Sequence, residues 1–329
     1  MNDQWPVTLN DLEAAAQVIG ITLPTTSGSI TWPLLSERCG CEVWVKHENH
    51  LPTGAFKVRG GLVYMDWLSS THPGVKGVIA ATRGNHGQSV AFAAAAKGLD
   101  ATVVVPHGNS VGKNCAMKAY GADLIEYGHD FTEAFEHAQK IADEKNLHFV
   151  PSFDWKLVHG VGTAGLEFLR AVENLDTIYL PIGLGSGICG MIAARKALGF
   201  EDKTEIVGVV AEQANAYSQS FTSGQVVETK SANTIADGVS CRIPDARAVE
   251  VINTHVSRIV EVCEEEIHYA MRHYFTDTHQ IAEGAAALPL AALLKEKKQA
   301  AGKRIGLVLT GGNVDATVYQ KILKMPHPL

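Results

Sequence analysis

Short runs of aliphatic and β-branched residues alternate along this chain with longer, Ala-rich stretches. Residues 78–79 lead through a glycine-rich turn into the Ala-rich segment 90–97, and residues 101–105 are again β-branched. The alternation returns at 177–182 and 188–198, at 206–211, at 259–262 and 264–273, and at 304–309. Apolar runs of strand length separated by segments of helical length predict βαβ units, whose parallel strands are buried on both faces. The expected class is therefore α/β, built on mostly parallel twisted sheets flanked by helices. Neither an internal repeat nor a low-complexity linker interrupts the pattern.

Composition adds size and exclusions. The chain has 329 residues, 46% of them hydrophobic, and a mean hydropathy of +0.02. That is too much chain for one small domain, so two lobes are expected. The formal charge of −7 comes without any basic block, which removes the electrostatic footprint of a nucleic-acid binder. The longest apolar runs lie around 284–294, short of the roughly 20 residues a membrane helix needs. No basic region followed by an apolar stretch opens the chain, so a signal peptide is not expected. Of six cysteines only Cys39 and Cys41 are close in sequence, and no second pair or histidine cluster completes a metal set. A soluble protein of a reducing, cytoplasmic compartment is expected.

In parallel sheets ligands bind at the carboxyl ends of strands, in the loops that lead into helices. Three glycine-rich turns fall at such places: 82–87, 183–187 and 310–313. The second follows an apolar run and precedes a helical one, so its backbone N–H groups and the positive end of the helix dipole suit a phosphate. Gly185 to Gly190 even matches the G-x-G-x-x-G spacing of a dinucleotide site. A nicotinamide-dependent dehydrogenase, another phosphorylated ligand, and a turn that only allows close helix–strand packing all remain open at this point.

The segment Lys46-His-Glu-Asn-His-Leu-Pro-Thr-Gly-Ala-Phe-Lys-Val-Arg-Gly-Gly61 changes the balance. Glu48, Thr53-Gly54, Phe56-Lys57 and Arg59-Gly60 together resemble the Schiff-base segment of the threonine/serine dehydratases. These belong to the tryptophan synthase β-like (fold type II) enzymes that use pyridoxal 5′-phosphate (PLP). The resemblance continues in family order through Arg83-Gly-Asn-His-Gly-Gln88, Gly160-Val-Gly-Thr163, 183–187, Thr234-Ile-Ala-Asp-Gly238, Glu264-Glu-Glu-Ile267, Glu283-Gly-Ala285 and Thr310-Gly-Gly-Asn313. It covers most of the chain.

The resemblance implies PLP held by Lys57, whose amine must be neutral to take up the cofactor and then serves as base at the substrate Cα. It implies Phe56 against one face of the ring, Asn85 at the ring's 3′-oxygen, Thr310 at the ring nitrogen, and Gly183, Leu184, Gly185, Ser186 and Gly187 around the phosphate. Thr82, Arg83, Gly84, Asn85 and His86 are expected to cradle the substrate carboxylate. The implied reaction is α,β-elimination of water from a small β-hydroxy amino acid such as serine or threonine, giving a 2-oxo acid and ammonia. Alternatives are a bulkier or acidic 3-hydroxy amino acid, or β-replacement. The implied lobes are a large PLP-binding one, 1–52 plus 152–329, and a small mobile one, 53–151. The family is commonly dimeric, so a homodimer is expected.

Three positions depart from the family pattern. Ala55 stands where a serine usually precedes Phe-Lys, and the phosphate loop is Gly-Leu-Gly-Ser-Gly rather than a glycine run. Arg83 occupies the position where serine racemases carry a serine acid/base; an always-protonated guanidinium cannot take that part, which disfavours racemisation. Arg83 either points outward and braces the loop or pairs with a substrate side-chain carboxylate, as in 3-hydroxyaspartate. Glu212, the Ala216 carbonyl and Ser218 align with a metal site of some relatives. Serine in place of a carboxylate there favours a monovalent cation, or none, over a divalent one. The sixteen residues after Asn313 are too few for the regulatory domain of biosynthetic threonine deaminases, so feedback through such a domain is not expected.

Overall fold

A computed structural model describes residues 6–23 and 26–325. Ten strands form in chain order: β1 (Ser29–Thr31), β2 (Glu42–His47), β3 (Gly77–Ala81), β4 (Asp100–Val105), β5 (Asp123–Glu126), β6 (His148–Phe149), β7 (Thr177–Pro181), β8 (Glu205–Ala211), β9 (Arg258–Val262) and β10 (Arg304–Leu309). They divide into a six-stranded sheet, β1-β2-β10-β7-β8-β9, and a four-stranded sheet, β5-β4-β3-β6. Only β1 runs antiparallel to its neighbour. Every residue of β3 and all but the first of β8 are buried, as strands covered by helices on both faces require.

The apolar stretch 284–294 becomes the helix Gly284–Lys295. It packs with Glu264–Thr278 on one face of the large sheet. Helices Trp155–Ala171 and Ser186–Ala197 cover the other face. Helices Lys57–Thr71 and Asn85–Ala96 cover one face of the small sheet, and Phe131–Lys145 the other. None of the described helices is long and apolar enough to cross a membrane. Cys39 and Cys41 are free thiols, and burial pushes Cys39 up to about 12.

The helix that begins at Lys57 crosses Trp155–Ala171 at two glycines. A methyl group on Gly160 would collide with the Arg59 carbonyl oxygen and lie 2.6 Å from Gly60 Cα, backbone that cannot step aside. Gly160→Ala is expected to lower unfolding stability by about 1–3 kcal/mol, the usual cost of overpacking a tight contact. Urea unfolding of variant and parent measures it.

Candidate active site

Two loops zip together to bring Lys57 to the sheet. Ala55 and Gly311 form an antiparallel bridge, the Phe56 N–H donates to the Thr310 carbonyl (3.0 Å), and the Gly312 N–H donates to the Gly54 carbonyl (2.9 Å). Lys57 therefore starts its helix beside the carboxyl end of β10, and its own carbonyl accepts from Ser89 Oγ (2.6 Å). The lysine Nζ sits 5.0 Å from the centre of the Phe56 ring. Burial depresses the amine from 10.5 to about 8, with the Glu283 carboxylate opposing. A lysine so placed is partly neutral near physiological pH, as a carbonyl-trapping amine has to be.

The turn after β3 supplies the next wall. Thr82 Oγ1 accepts from the Gly84 and Gly87 N–H groups (3.0 and 3.3 Å), which leaves its own proton free to donate. Asn85 opens the following helix; its Nδ2 donates to Glu283 Oε1 (2.6 Å), and its Oδ1 accepts from Asn313 Nδ2 (2.9 Å). With both ends of the amide used, its orientation is fixed. His86 is buried, and burial, with the nearby Lys57 charge, holds the ring down to about 3. Its Nε2 has no hydrogen-bond partner. Arg83 is exposed and lines the cleft.

The turn after β7 leads directly into a helix N-terminus. Gly185 takes a left-handed conformation (φ +97°) that a side chain would strain, and it caps the helix Ser186–Ala197 without a side-chain acceptor. The first N–H groups of that helix are thus free of any side-chain cap, at the positive end of its dipole. Tyr217 holds the loop in place by donating to the Leu184 carbonyl (2.9 Å).

Phe56, Lys57, residues 82–86, residues 183–187 and Thr310 all line one cavity of about 240 Å³. The three metal candidates do not. Glu212 Oε1 lies 3.8 Å from Lys295 Nζ, the Ala216 carbonyl accepts from Ser220 Oγ, and the Ser218 carbonyl accepts from Thr222 Oγ1. Among the described residues no group of three His, Cys, Asp or Glu side chains is placed to hold a metal.

Several residues of the site carried no assigned role in the sequence. Lys113 is buried, with Nζ 2.5 Å from Asp237 Oδ2 and 3.5 Å from Glu283 Oε2. Burial alone would lower its pKa, but Glu283 and Asp237 hold it above the usual lysine value. The Glu283 carboxyl is pushed up by burial and by Asp237, against the pull of Lys113. Asn313 Nδ2 ties Asn85 to the Thr53 carbonyl (2.8 Å). Glu283 and Asn313 lay inside recognised motifs, whereas Lys113, a single lysine outside any motif, gave no sequence signal. Its helix, Val111–Ala119, is held by Ser110, whose hydroxyl accepts from the Lys113 N–H and donates to Asp315.

A half-buried lysine amine with a lowered pKa, beside an aromatic ring and an uncapped helix start, suits a phosphorylated carbonyl cofactor. The uncapped helix start, with its free N–H groups, fits such a group. The chain belongs to the family of pyridoxal-phosphate dependent enzymes, whose family model matches residues 24–311. It is 36% identical over 322 residues to the catabolic L-threonine dehydratase TdcB of Staphylococcus aureus (strain N315), covering 97% of this chain and 92% of that protein. Among solved structures it matches a threonine deaminase from T.th. (TM-score 0.85, 32% identity, 94% of this chain and 99% of that one). It also matches maize serine racemase (TM-score 0.88, 26% identity, 97% and 98%). The protein is thus a PLP-dependent lyase of the tryptophan synthase β-like fold. Membership of this family sets the dehydrogenase alternative aside, although Gly185 to Gly190 has dinucleotide spacing.

Proposed function

We propose that the protein eliminates water from a small β-hydroxy amino acid of the serine or threonine type, releasing a 2-oxo acid and ammonia. The observation that carries this is Lys57, a lysine depressed to about 8 within a cleft lined by polar donors. Bound PLP supplies an electron sink for the pair left when the Cα–H bond breaks. The Lys57 amine takes that proton. Thr82 Oγ1 and the N–H groups of Arg83, Asn85 and His86 would bind the substrate carboxylate, and Phe56 and Asn85 would hold and orient the ring. Residues 183–187 bind the phosphate. Thr310 would offer the ring a hydroxyl rather than a carboxylate and so would support ring protonation only weakly, which suits loss of a β-substituent. Arg83 cannot serve as the second acid/base that racemisation requires.

In this reading the chain divides into lobes 1–52 plus 152–329 and 53–151, and the smaller one closes on bound substrate. The PLP-loaded protein, coloured by a violet-absorbing band, is incubated with L-serine, L-threonine and a panel of other 3-hydroxy amino acids while ammonia and 2-oxo acid are measured. Stoichiometric release of both is expected with at least one of them. Inversion at Cα without ammonia would overturn the assignment in favour of a racemase.

A further inference from the structure

We propose, resting on the dehydratase reading above, that Arg83 selects β-hydroxy amino acids bearing a second carboxylate on the β-carbon, of which 3-hydroxyaspartate is the simplest. Among the described residues Arg83 makes no hydrogen bond or ion pair, although it lines the cleft. Arg242 also lines the cleft and is exposed; among the described residues its guanidinium makes one hydrogen bond, from Nε to the Thr229 carbonyl at 3.4 Å. By contrast the buried cation of the cleft, Lys113, is already neutralised by Asp237 and Glu283. The positive charge still available to a ligand is therefore guanidinium charge.

An exposed guanidinium costs nothing when water solvates it, so its freedom alone has little content. His86, three residues further along the same turn, supplies the second observation. Its ring is only 7% exposed, yet Nε2 has no partner. Burial keeps the ring neutral, and its hydrogen bond to the Val150 carbonyl uses the ring proton, so Nε2 is left as an acceptor. A buried acceptor without a donor costs about 1–3 kcal/mol, a cost that a ligand hydroxyl removes. One turn thus carries a buried acceptor suited to a hydroxyl and, three residues before it, a cleft-lining guanidinium suited to a carboxylate. A β-carbon carrying both groups satisfies both. Serine and threonine satisfy only the first.

The chemistry needs no added co-reactant. The Cα proton passes to Lys57 and is returned by its ammonium to the departing hydroxyl, so the C–O bond breaks with water as the leaving group. The released enamine tautomerises, and hydrolysis of the imine by one water gives oxaloacetate and ammonia.

The test measures kcat/KM for threo-3-hydroxyaspartate, serine and threonine with the PLP-loaded parent, Arg83→Gln and Arg83→Lys. Binding of the unreactive acids succinate and butyrate is followed in parallel by calorimetry. The parent is expected to prefer hydroxyaspartate to serine, and succinate to butyrate, by at least about tenfold, the scale of one charge-assisted fork. Arg83→Gln is expected to lower both ratios by about tenfold or more, with the kinetic loss mainly in KM, and Arg83→Lys to keep part of each. Ratios unchanged in Arg83→Gln, or a parent that prefers serine, overturn the proposal while leaving the dehydratase reading intact. If no amino acid releases ammonia, that reading has failed instead. The succinate-to-butyrate ratio then decides alone whether Arg83 reads a second carboxylate.

Discussion

Replacing Lys57 with methionine is expected to abolish turnover and, in the unloaded protein, to raise stability. The first effect follows from the roles proposed for it: without the amine the cofactor would lose its anchor and the Cα proton its base. A loss of at least about 10³-fold in kcat is expected, within the range for removal of a general base or nucleophile. The second follows from linkage. The folded protein holds Lys57 at about 8 instead of 10.5, so between those values the folded state binds fewer protons than the unfolded chain. Stability contributed by this group therefore rises with pH across that window, and below pH 8 the full penalty is present. Its size is on the order of 1–3 kcal/mol, given partial contact with water in the cleft. Methionine fills similar space without a charge to desolvate. Thermal unfolding of unloaded parent and variant at pH 7 and pH 10 is the measurement. The variant should melt higher at pH 7, and the gap should narrow at pH 10. A variant less stable at pH 7, or a gap independent of pH, would show that the lysine is not strained in the folded state.

How much of this was legible beforehand varies with the range of the interactions. The largely buried parallel strands β3, β4, β7, β8 and β10 stood out because such a strand leaves a continuous apolar run, and the edge strand β9, with two of its five residues buried, still kept an apolar run. β1, β5 and β6 did not: they are two to four residues long and contain few fully buried positions, so no periodicity could develop. Lys57, Asn85 and the 183–187 loop were readable because each sits in a contiguous motif whose glycines and caps have local causes. The partners that fix them were not. Asn85 is held by Glu283 and Asn313, 198 and 228 residues away, and Lys113 meets Asp237 across 124. Such pairings are properties of the folded chain, and no spacing rule encodes them. Arg83 stands between these cases. Its identity was plain as a departure from a serine, but whether it faced the cleft or braced the loop depended on the conformation of the turn.

Loss of Arg59 is expected to cost about 3–5 kcal/mol, the usual result of stranding a buried charge. Arg59 lies two residues beyond Lys57 and is 1% exposed. Its guanidinium donates to both oxygens of Glu48 (2.7 and 3.0 Å) and both oxygens of Glu167 (2.8 Å each), and further to Thr163 and Ser27. Lys46 completes the cluster, with Nζ 2.5 Å from Glu167 and 3.9 Å from Glu48. Burial works to raise Glu48, but Arg59 and Lys46 hold its carboxyl below the usual value of 4.5. Its contribution is therefore complete above that value and lost as pH falls through the lower folded one. In Arg59→Met the balance reverses, because burial then dominates and Glu48 is expected to take up a proton above 4.5. The stability of the variant should consequently improve, relative to the parent, as pH falls from 7 toward 5. Urea unfolding across that range measures the gap, which should be widest at pH 7. A gap that stays constant with pH would mean that lost packing of the arginine stem, rather than an uncompensated Glu48, accounts for the damage. Because Arg59 and Lys57 share the first turn of one helix, the same variant should bind PLP more weakly even at temperatures where it remains folded. Replacing Glu48 and Arg59 together with apolar residues should recover part of the stability, since neither buried charge is then left without its partner.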